Sequence, residues 1–266
     1  MLNARRVGIA YGWMWIKQGF WLFKQNPFLW MFLASIIVVG MFALALFPLL
    51  GAVLPALLYP AAFAGLMLGC HALAQHQPLE PQHVLAGFRA HGRSLLLLGV
   101  LNTVVNQLVG VLMIQAAGGE KFVNDLRNVM QQPDPQAMMA AIDKTGIMLT
   151  MDLFGLVSFM LLFVVQIAAM LIVFRSATPV AALLAALRAT LRNVLPVIVF
   201  GLMLVPLFVL AMLPAMLGLI VLAPIVLASQ YAVYRDMFPM PGDAGAVPGP
   251  DAPGPDSQAP GAPPAA

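Results

Sequence analysis

The sequence contains very little charge. Of its 266 residues, 9% are charged and 62% are hydrophobic, whereas soluble domains are about 25% charged and about 45–50% apolar. This composition excludes a water-soluble globular fold. A single cysteine, Cys70, excludes an intramolecular disulfide. The excess of 13 Lys and Arg over 10 Asp and Glu is too small to indicate a nucleic-acid surface, so no nucleic-acid partner is expected.

Long uncharged runs predict an all-α polytopic membrane protein. No charged residue occurs between Lys24 and Glu80 or between Arg192 and Arg235, and a transmembrane helix needs about 20 apolar residues. Alternation of polarity, the mark of barrel strands, is missing from these runs. We predict six transmembrane helices in three hairpins, over residues 28–47, 51–74, 95–117, 153–174, 194–213 and 215–234.

The distribution of Lys and Arg predicts the orientation in the membrane. Only Lys121, Arg127 and Lys144 lie in the long loop 118–152, and the other Lys and Arg residues lie on the opposite side. Cytoplasmic loops are enriched in Lys and Arg, so both termini are expected in the cytoplasm and loop 118–152 in the periplasm. Arg5 and Arg6 precede no signal-peptide core, and the first span is expected to direct insertion into the inner membrane.

The segments outside the spans differ in composition. Residues 237–266 contain nine prolines and five glycines, a composition that predicts a disordered cytoplasmic tail. Loop 118–152 has two stretches with apolar residues at helical spacing. They predict two short amphipathic helices separated by Pro133-Asp134-Pro135.

The chain also shows an internal repeat. An offset of 68 residues aligns Gly19-Phe20 with Gly87-Phe88, and an offset of 99 aligns Gly87 with Ala186 and Arg89 with Arg188. The same offsets place Asn26, Ser94 and Asn193 just before apolar runs, where helix caps are favoured. Each predicted unit is a cytoplasmic amphipathic interfacial helix followed by a hairpin.

The predicted interfacial helices combine basic and aromatic residues. Such helices lie in the headgroup region, and their Lys and Arg residues attract anionic lipid headgroups. Plain anchoring in the lipid bilayer is the alternative explanation. The candidate membrane-interface residues are Trp13, Trp15, Lys17, Trp21, Lys24, Arg89, Arg93, Arg188 and Arg192.

Three further groups are candidates for function. His71, His76, His83 and His91 lie close to Cys70, but their spacing matches no zinc pattern, so no metal and no cofactor are predicted. Asn102, Asn106, Gln107 and Gln166 are intramembrane amides, which could link helices or line a substrate path. Ala61, Gly65 and Gly69 form a face of small residues that could pack inside the bundle or mediate a homodimer.

Features of enzymes and ion-coupled transporters are missing. No Asp, Glu, Lys or Arg lies deep in a predicted span, although proton relays need such groups. The sequence has no phosphate-binding loop, no HExxH motif and no GxSxG motif. Prolines in the two outer hairpins could break helices, as in transporters, or shape the turns. No catalytic residue is predicted.

The segment Trp13-Met14-Trp15-Ile16, followed by Gly19-Phe20 and Leu22-Phe23-Lys24, resembles the start of an uncharacterised proteobacterial family of inner-membrane proteins. Ala86-Gly87-Phe88-Arg89 resembles the second repeat element of that family, and the resemblance extends over residues 10–236. The layout is distantly similar to the membrane domain of some glycerophosphodiester phosphodiesterases, whose catalytic part has no counterpart in this sequence. The resemblance implies an inner-membrane location and no reaction.

Two functional hypotheses follow from these features. The first is a non-enzymatic integral membrane protein that serves in interaction with a membrane-protein partner or in envelope maintenance. The alternative is a passive transporter, channel or lipid-handling protein that uses the mid-membrane amides and proline-kinked helices.

Overall fold

The computed structural model describes residues 4–48, 50–51, 53–132, 134, 136, 138–140, 142, 147–213 and 216–239. No strand occurs within these residues. The helices are α1 Tyr11–Gln25, α2 Pro27–Ala45, α3 Leu54–Ala74, α4 His83–Ala116, α5 Glu120–Met130, α6 Ile147–Arg175, α7 Pro179–Arg192, α8 Val194–Met212 and α9 Gly218–Met237.

Six of these helices are long and apolar enough to cross a membrane: α2, α3, α4, α6, α8 and α9. The shortest of them have 19 residues, which corresponds to about 28 Å at 1.5 Å per residue. The chain is therefore an all-α polytopic membrane protein, and the predicted fold class is confirmed.

Local sequence explains where several helices begin and end. Pro27 and Pro179 open α2 and α7 at a position that needs no N–H donor. Asn26 Oδ1 accepts a hydrogen bond from Leu29 N at 3.4 Å, as a cap residue does. The expected cap at Ser94 is absent, because the second interfacial helix and span three form the single helix α4, which breaks instead at His91 (φ −142°, ψ 36°).

The chain termini of the described part meet at one end of the bundle. Arg5 N donates to Met237 O at 2.8 Å, and Asn193 Nδ2 donates to Arg5 O at 3.1 Å. We call this the basic end, because it carries the exposed side chains of Lys17, Lys24, Arg89, Arg93, Arg188 and Arg192.

Each predicted interfacial helix packs on the second span of another hairpin. Helix α1 packs on α9, the start of α4 packs on α3, and α7 packs on α6. Small residues allow the close approach. A Cβ at Gly19 would lie 2.6 Å from Ile225 O, and one at Gly87 would lie 2.8 Å from Gly65 N. The same three contacts are expected if the three predicted repeat units form a ring in which each interfacial helix packs on the hairpin of a neighbouring unit.

Burial is uneven along the spans. The buried residues are concentrated toward the basic end, over 30–34, 60–73, 95–99, 163–172, 196–200 and 224–237. Toward the opposite end most residues of α2, α4, α6 and α8 are exposed or half-buried. The spans therefore pack closely at the basic end and present apolar surface elsewhere.

Two helices extend beyond the predicted spans, one into the predicted loop and one into the predicted tail. Helix α5 is the first of the two amphipathic helices expected in loop 118–152; the second falls largely outside the described residues. Helix α6 begins at Ile147, before the expected start of the fourth span. Met237 and Phe238, assigned to the tail from the sequence, are buried, and residues 240–266 of that tail lie outside the described residues.

Candidate functional site

The predicted interface residues divide into an exposed set and a buried set. The side chain of Trp13 is exposed, and Lys17 Nζ lies 5.8 Å from the centre of its ring. Lys24 Nζ lies 5.7 Å from the ring centre of Phe20, which is also exposed. Cations held over aromatic rings beside apolar side chains suit the level of lipid headgroups.

Trp15 lies inside the protein, unlike the position expected for an interface residue. Its side chain is fully buried, and its Nε1–H donates to Asp236 Oδ2 at 2.9 Å. The ring meets Phe200 edge-on, with 5.9 Å between centroids. Trp15 therefore ties α1 to α8 and α9, because the helical period turns it to the face opposite Lys17. Trp21 is half-buried and packs against the same core.

His71 belongs to an aromatic cluster at the basic end. His71 Nδ1 and Tyr231 Oη are 2.8 Å apart, and His71 Nε2 lies 3.0 Å from Gln75 Nε2. The rings of Phe174 and Tyr234 stack with centroids 5.3 Å apart. These contacts join the ends of α3, α6 and α9.

The histidines occupy separate surroundings. His83 Nδ1 accepts a hydrogen bond from Glu80 N at 2.9 Å. His91 sits at the break in α4, and His76 is exposed with a positive φ of 59°. The described part of the chain contains no group of three or more His, Cys, Asp or Glu residues that could hold a metal ion.

The intramembrane amides form two distinct sets. Asn106 Nδ2 donates to Asn102 O at 2.9 Å and to Asn102 Oδ1 at 2.7 Å, all within α4. Gln166 is buried in α6, and its Nε2 donates to Tyr59 Oη on α3 at 2.6 Å. Gln107 is exposed. The geometry therefore gives Gln166 the role of a link between helices and gives Asn102 and Asn106 a local pairing.

The face of small residues on α3 packs inside the bundle. A Cβ at Gly65 would meet His83 O and lie 2.9 Å from Val84 O, and one at Gly69 would lie 2.5 Å from Leu79 Cδ1. Ala61 is fully buried. Of the two alternatives left open by the sequence, the structure places this face against the start of α4, where it is not available to a second copy.

A cavity of about 750 Å³ lies between the two outer hairpins, and its lining extends from the middle of the spans toward the end opposite the basic end. We call it the lateral cavity. Its wall includes Val38 of α2, Phe63 of α3, Phe208 of α8, and Ala223 and Val226 of α9. Among the described lining residues, only Ser35 and Tyr59 carry polar side-chain atoms.

The prolines of the outer hairpins do not interrupt the helices. Pro60, Pro206 and Pro224 lie inside α3, α8 and α9, which continue through them. The proline-broken helices that some transporters use are therefore not seen in the described residues of these spans. The lateral cavity lies between the same helices.

The sequence alone did not mark Tyr59 or Asp236 as candidate functional residues. Arg235 and Asp236 end the long uncharged run that follows Arg192. An acidic residue at the end of an apolar helix indicates a buried hydrogen-bond partner. Tyr59 gave no such signal, because a single tyrosine in an apolar run is common in membrane helices.

Comparison with known proteins gives one partial similarity. The chain is 34% identical over 86 residues to a protein of Burkholderia thailandensis described as a probable inner membrane protein. The match covers 32% of this chain and 32% of that relative's length. No family model matches the chain. No solved structure matches it at a significant level. The similarity and the six spans support a multi-pass inner membrane protein.

Proposed function

We propose that this protein is a lipid-handling membrane protein that takes an apolar chain of a membrane lipid into the lateral cavity. The cavity itself is the observation that carries the proposal. Its volume of about 750 Å³ lies within the range of about 300–1,000 Å³ that is usual for small-molecule sites.

The lining favours a lipid chain over an ion or a polar solute. Conducting pathways need carbonyl oxygens, charged rings or other polar groups along their length, and this wall is apolar except at Ser35 and Tyr59. A cavity with so few polar partners does not hold water well. An apolar chain gains packing contacts there without losing hydrogen bonds.

The surroundings of the lateral cavity favour a lipid from the bilayer. In the sequence, the connections between α2 and α3 and between α8 and α9 contain no charged residue. A charged headgroup would therefore find no counter-charge in these connections. In the membrane, lipid acyl chains also surround the spans that form the cavity.

This proposal takes up one of the alternatives that the sequence left open. The passive-transport alternative relied on the mid-membrane amides and on proline-kinked helices. Asn102 and Asn106 pair with each other and Gln166 pairs with Tyr59, and α3, α8 and α9 continue through their prolines. The interaction hypothesis relied on the absence of catalytic motifs. The lateral cavity supplies a positive feature for lipid handling.

Photo-crosslinking tests the proposal. The full chain would be purified in nanodiscs that contain a lipid with a diazirine in its acyl chain, and the crosslinked peptides would be mapped by mass spectrometry. We expect crosslinks to lining residues of α3 and α9. Ala223→Phe should fill the cavity and remove them, whereas Val221→Phe, on the same helix and outside the lining, should leave them unchanged. Equal labelling of lining and outward residues in all three proteins would contradict the proposal.

A second candidate activity concerns the basic end. The side chains of Lys17, Lys24, Arg89, Arg93, Arg188 and Arg192 are all exposed, and each basic residue near an anionic surface contributes about 1 kcal/mol. We expect anionic phospholipid to be enriched around the purified protein. The paired changes Arg188→Gln and Arg192→Gln should reduce this enrichment more than Lys121→Gln with Arg127→Gln on α5.

A further inference from the structure

One residue that lines the lateral cavity, Tyr59, has a hydroxyl group that is held by a buried partner. Gln166 Nε2 donates to Tyr59 Oη at 2.6 Å, and Gln166 is only 6% exposed. The Tyr59 ring also stacks on Phe63, with 5.9 Å between centroids and 27° between planes. Two contacts therefore fix the position of the Tyr59 side chain in the cavity wall.

The hydrogen bond from Gln166 leaves the Tyr59 proton available. A tyrosine hydroxyl carries one hydrogen and can also accept, and here its oxygen is the acceptor. In the described part of the protein no acceptor takes the Tyr59 hydrogen. An occupant of the cavity with an acceptor oxygen would satisfy this donor, which costs free energy when left unpaired in an apolar place.

The position of Tyr59 limits the kind of acceptor. Tyr59 lies five residues from the start of α3, which is about 8 Å along the helix axis. The described lining contains no charged residue, so a phosphate or carboxylate would be buried there without a counter-ion, at a large cost. An uncharged carbonyl oxygen can lie at this depth and needs no counter-ion.

We propose, on the basis of the proposed lipid binding, that the lateral cavity selects an uncharged lipid whose carbonyl oxygen lies inside the hydrocarbon layer. Tyr59 donates a hydrogen bond to this carbonyl, and Gln166 is a positioning residue for Tyr59. Lipophilic quinones and neutral glycerolipid esters both offer this chemistry.

The test uses three probes and the full chain in nanodiscs. The probes are a decyl-substituted benzoquinone, a diacylglycerol and hexadecane, the first two with ¹³C at the carbonyl. Tyr59→Phe should weaken binding of the carbonyl probe about threefold to tenfold, the usual worth of one hydrogen bond. It should leave hexadecane binding unchanged. Ser35→Ala, the matched change at the other polar lining residue, should alter neither affinity.

Infrared spectroscopy reports the hydrogen bond directly. The ¹³C=O band of the bound probe should lie at lower frequency in the wild type than in Tyr59→Phe. Gln166→Leu should shift the band part of the way, because the hydroxyl remains but is no longer held in place. A purely structural role of Gln166 would change stability and leave the band unmoved.

The outcomes separate this inference from the proposed function. Loss of carbonyl affinity in Tyr59→Phe with only the quinone, or only the diacylglycerol, supports the inference and identifies the source of the carbonyl. Unchanged carbonyl affinity and an unshifted band overturn the inference, while hexadecane binding that Ala223→Phe abolishes still supports the lipid site. A wild type that binds none of the probes overturns both.

Discussion

The two ends of the bundle are packed in different ways. At the basic end, α1, the start of α4 and α7 lie on the spans, with glycine and alanine at the contacts and with side-chain hydrogen bonds such as Trp15 to Asp236. Toward the other end the same spans are largely exposed or line the lateral cavity. The closely packed region and the proposed lipid site thus lie in different parts of the same helices.

A topology test shows whether the two ends of the bundle lie on opposite sides of the membrane. The distribution of Lys and Arg predicts that the basic end lies in the cytoplasm. A reporter enzyme that is active only outside the cytoplasm should give full activity when fused at residue 130 and background activity when fused after residue 240. The reciprocal fluorescent-protein fusions serve as controls. Equal activity of both fusions would contradict the predicted orientation.

Truncation of leucine should separate the two ends in stability. Leu22 is fully buried at the basic end, whereas Leu222 lines the lateral cavity. We expect Leu22→Ala to lower the free energy of unfolding by about 2–5 kcal/mol, because it leaves a closed void, and Leu222→Ala to lower it by about 1 kcal/mol or less, since packing there is already incomplete. Unfolding in mixed detergent–SDS micelles measures both. Equal losses would argue that the two ends are equally packed.

Glycine substitutions sharpen the same contrast. A Cβ at Gly19 would meet Ser229 Oγ and lie 2.6 Å from Ile225 O, whereas one at Gly40 meets nothing within 4 Å. Gly19→Ala should therefore cost about 1–3 kcal/mol through overpacking. Gly40→Ala should stabilise α2 by about 0.5–1 kcal/mol through helix propensity. The same unfolding assay applies, and a neutral Gly19→Ala would contradict the close contact between α1 and α9.

The smallest expected effect concerns α4 in the loosely packed half. Asn106 bonds only within its own helix among the described contacts, so Asn106→Leu should change the free energy of unfolding by about 0.6 kcal/mol or less. Gln166→Leu, which removes the bond between α6 and α3, should have the larger effect of the two. The reverse order would show that Asn106 has a partner outside α4.

Local sequence marks where some of the helices begin and end. The predicted spans 28–47 and 194–213 correspond to α2 Pro27–Ala45 and α8 Val194–Met212, because uncharged runs and the residues Asn26-Pro27 mark helix limits along the chain. The prediction of a helix cap at Ser94 was wrong, because a polar residue can cap a helix or lie within one. The break in the helix falls at His91 instead.

The sequence by itself determined that the chain crosses the membrane as apolar helices and which residues are basic, since hydropathy and charge are properties of short stretches. Only the tertiary structure decided that Trp15 is buried beside Asp236, that Gln166 holds Tyr59, and that the outer hairpins leave an open-sided cavity between them. These features depend on which faces of distant helices meet. In a chain whose spans are apolar on every side, the hydrophobic pattern does not specify that pairing.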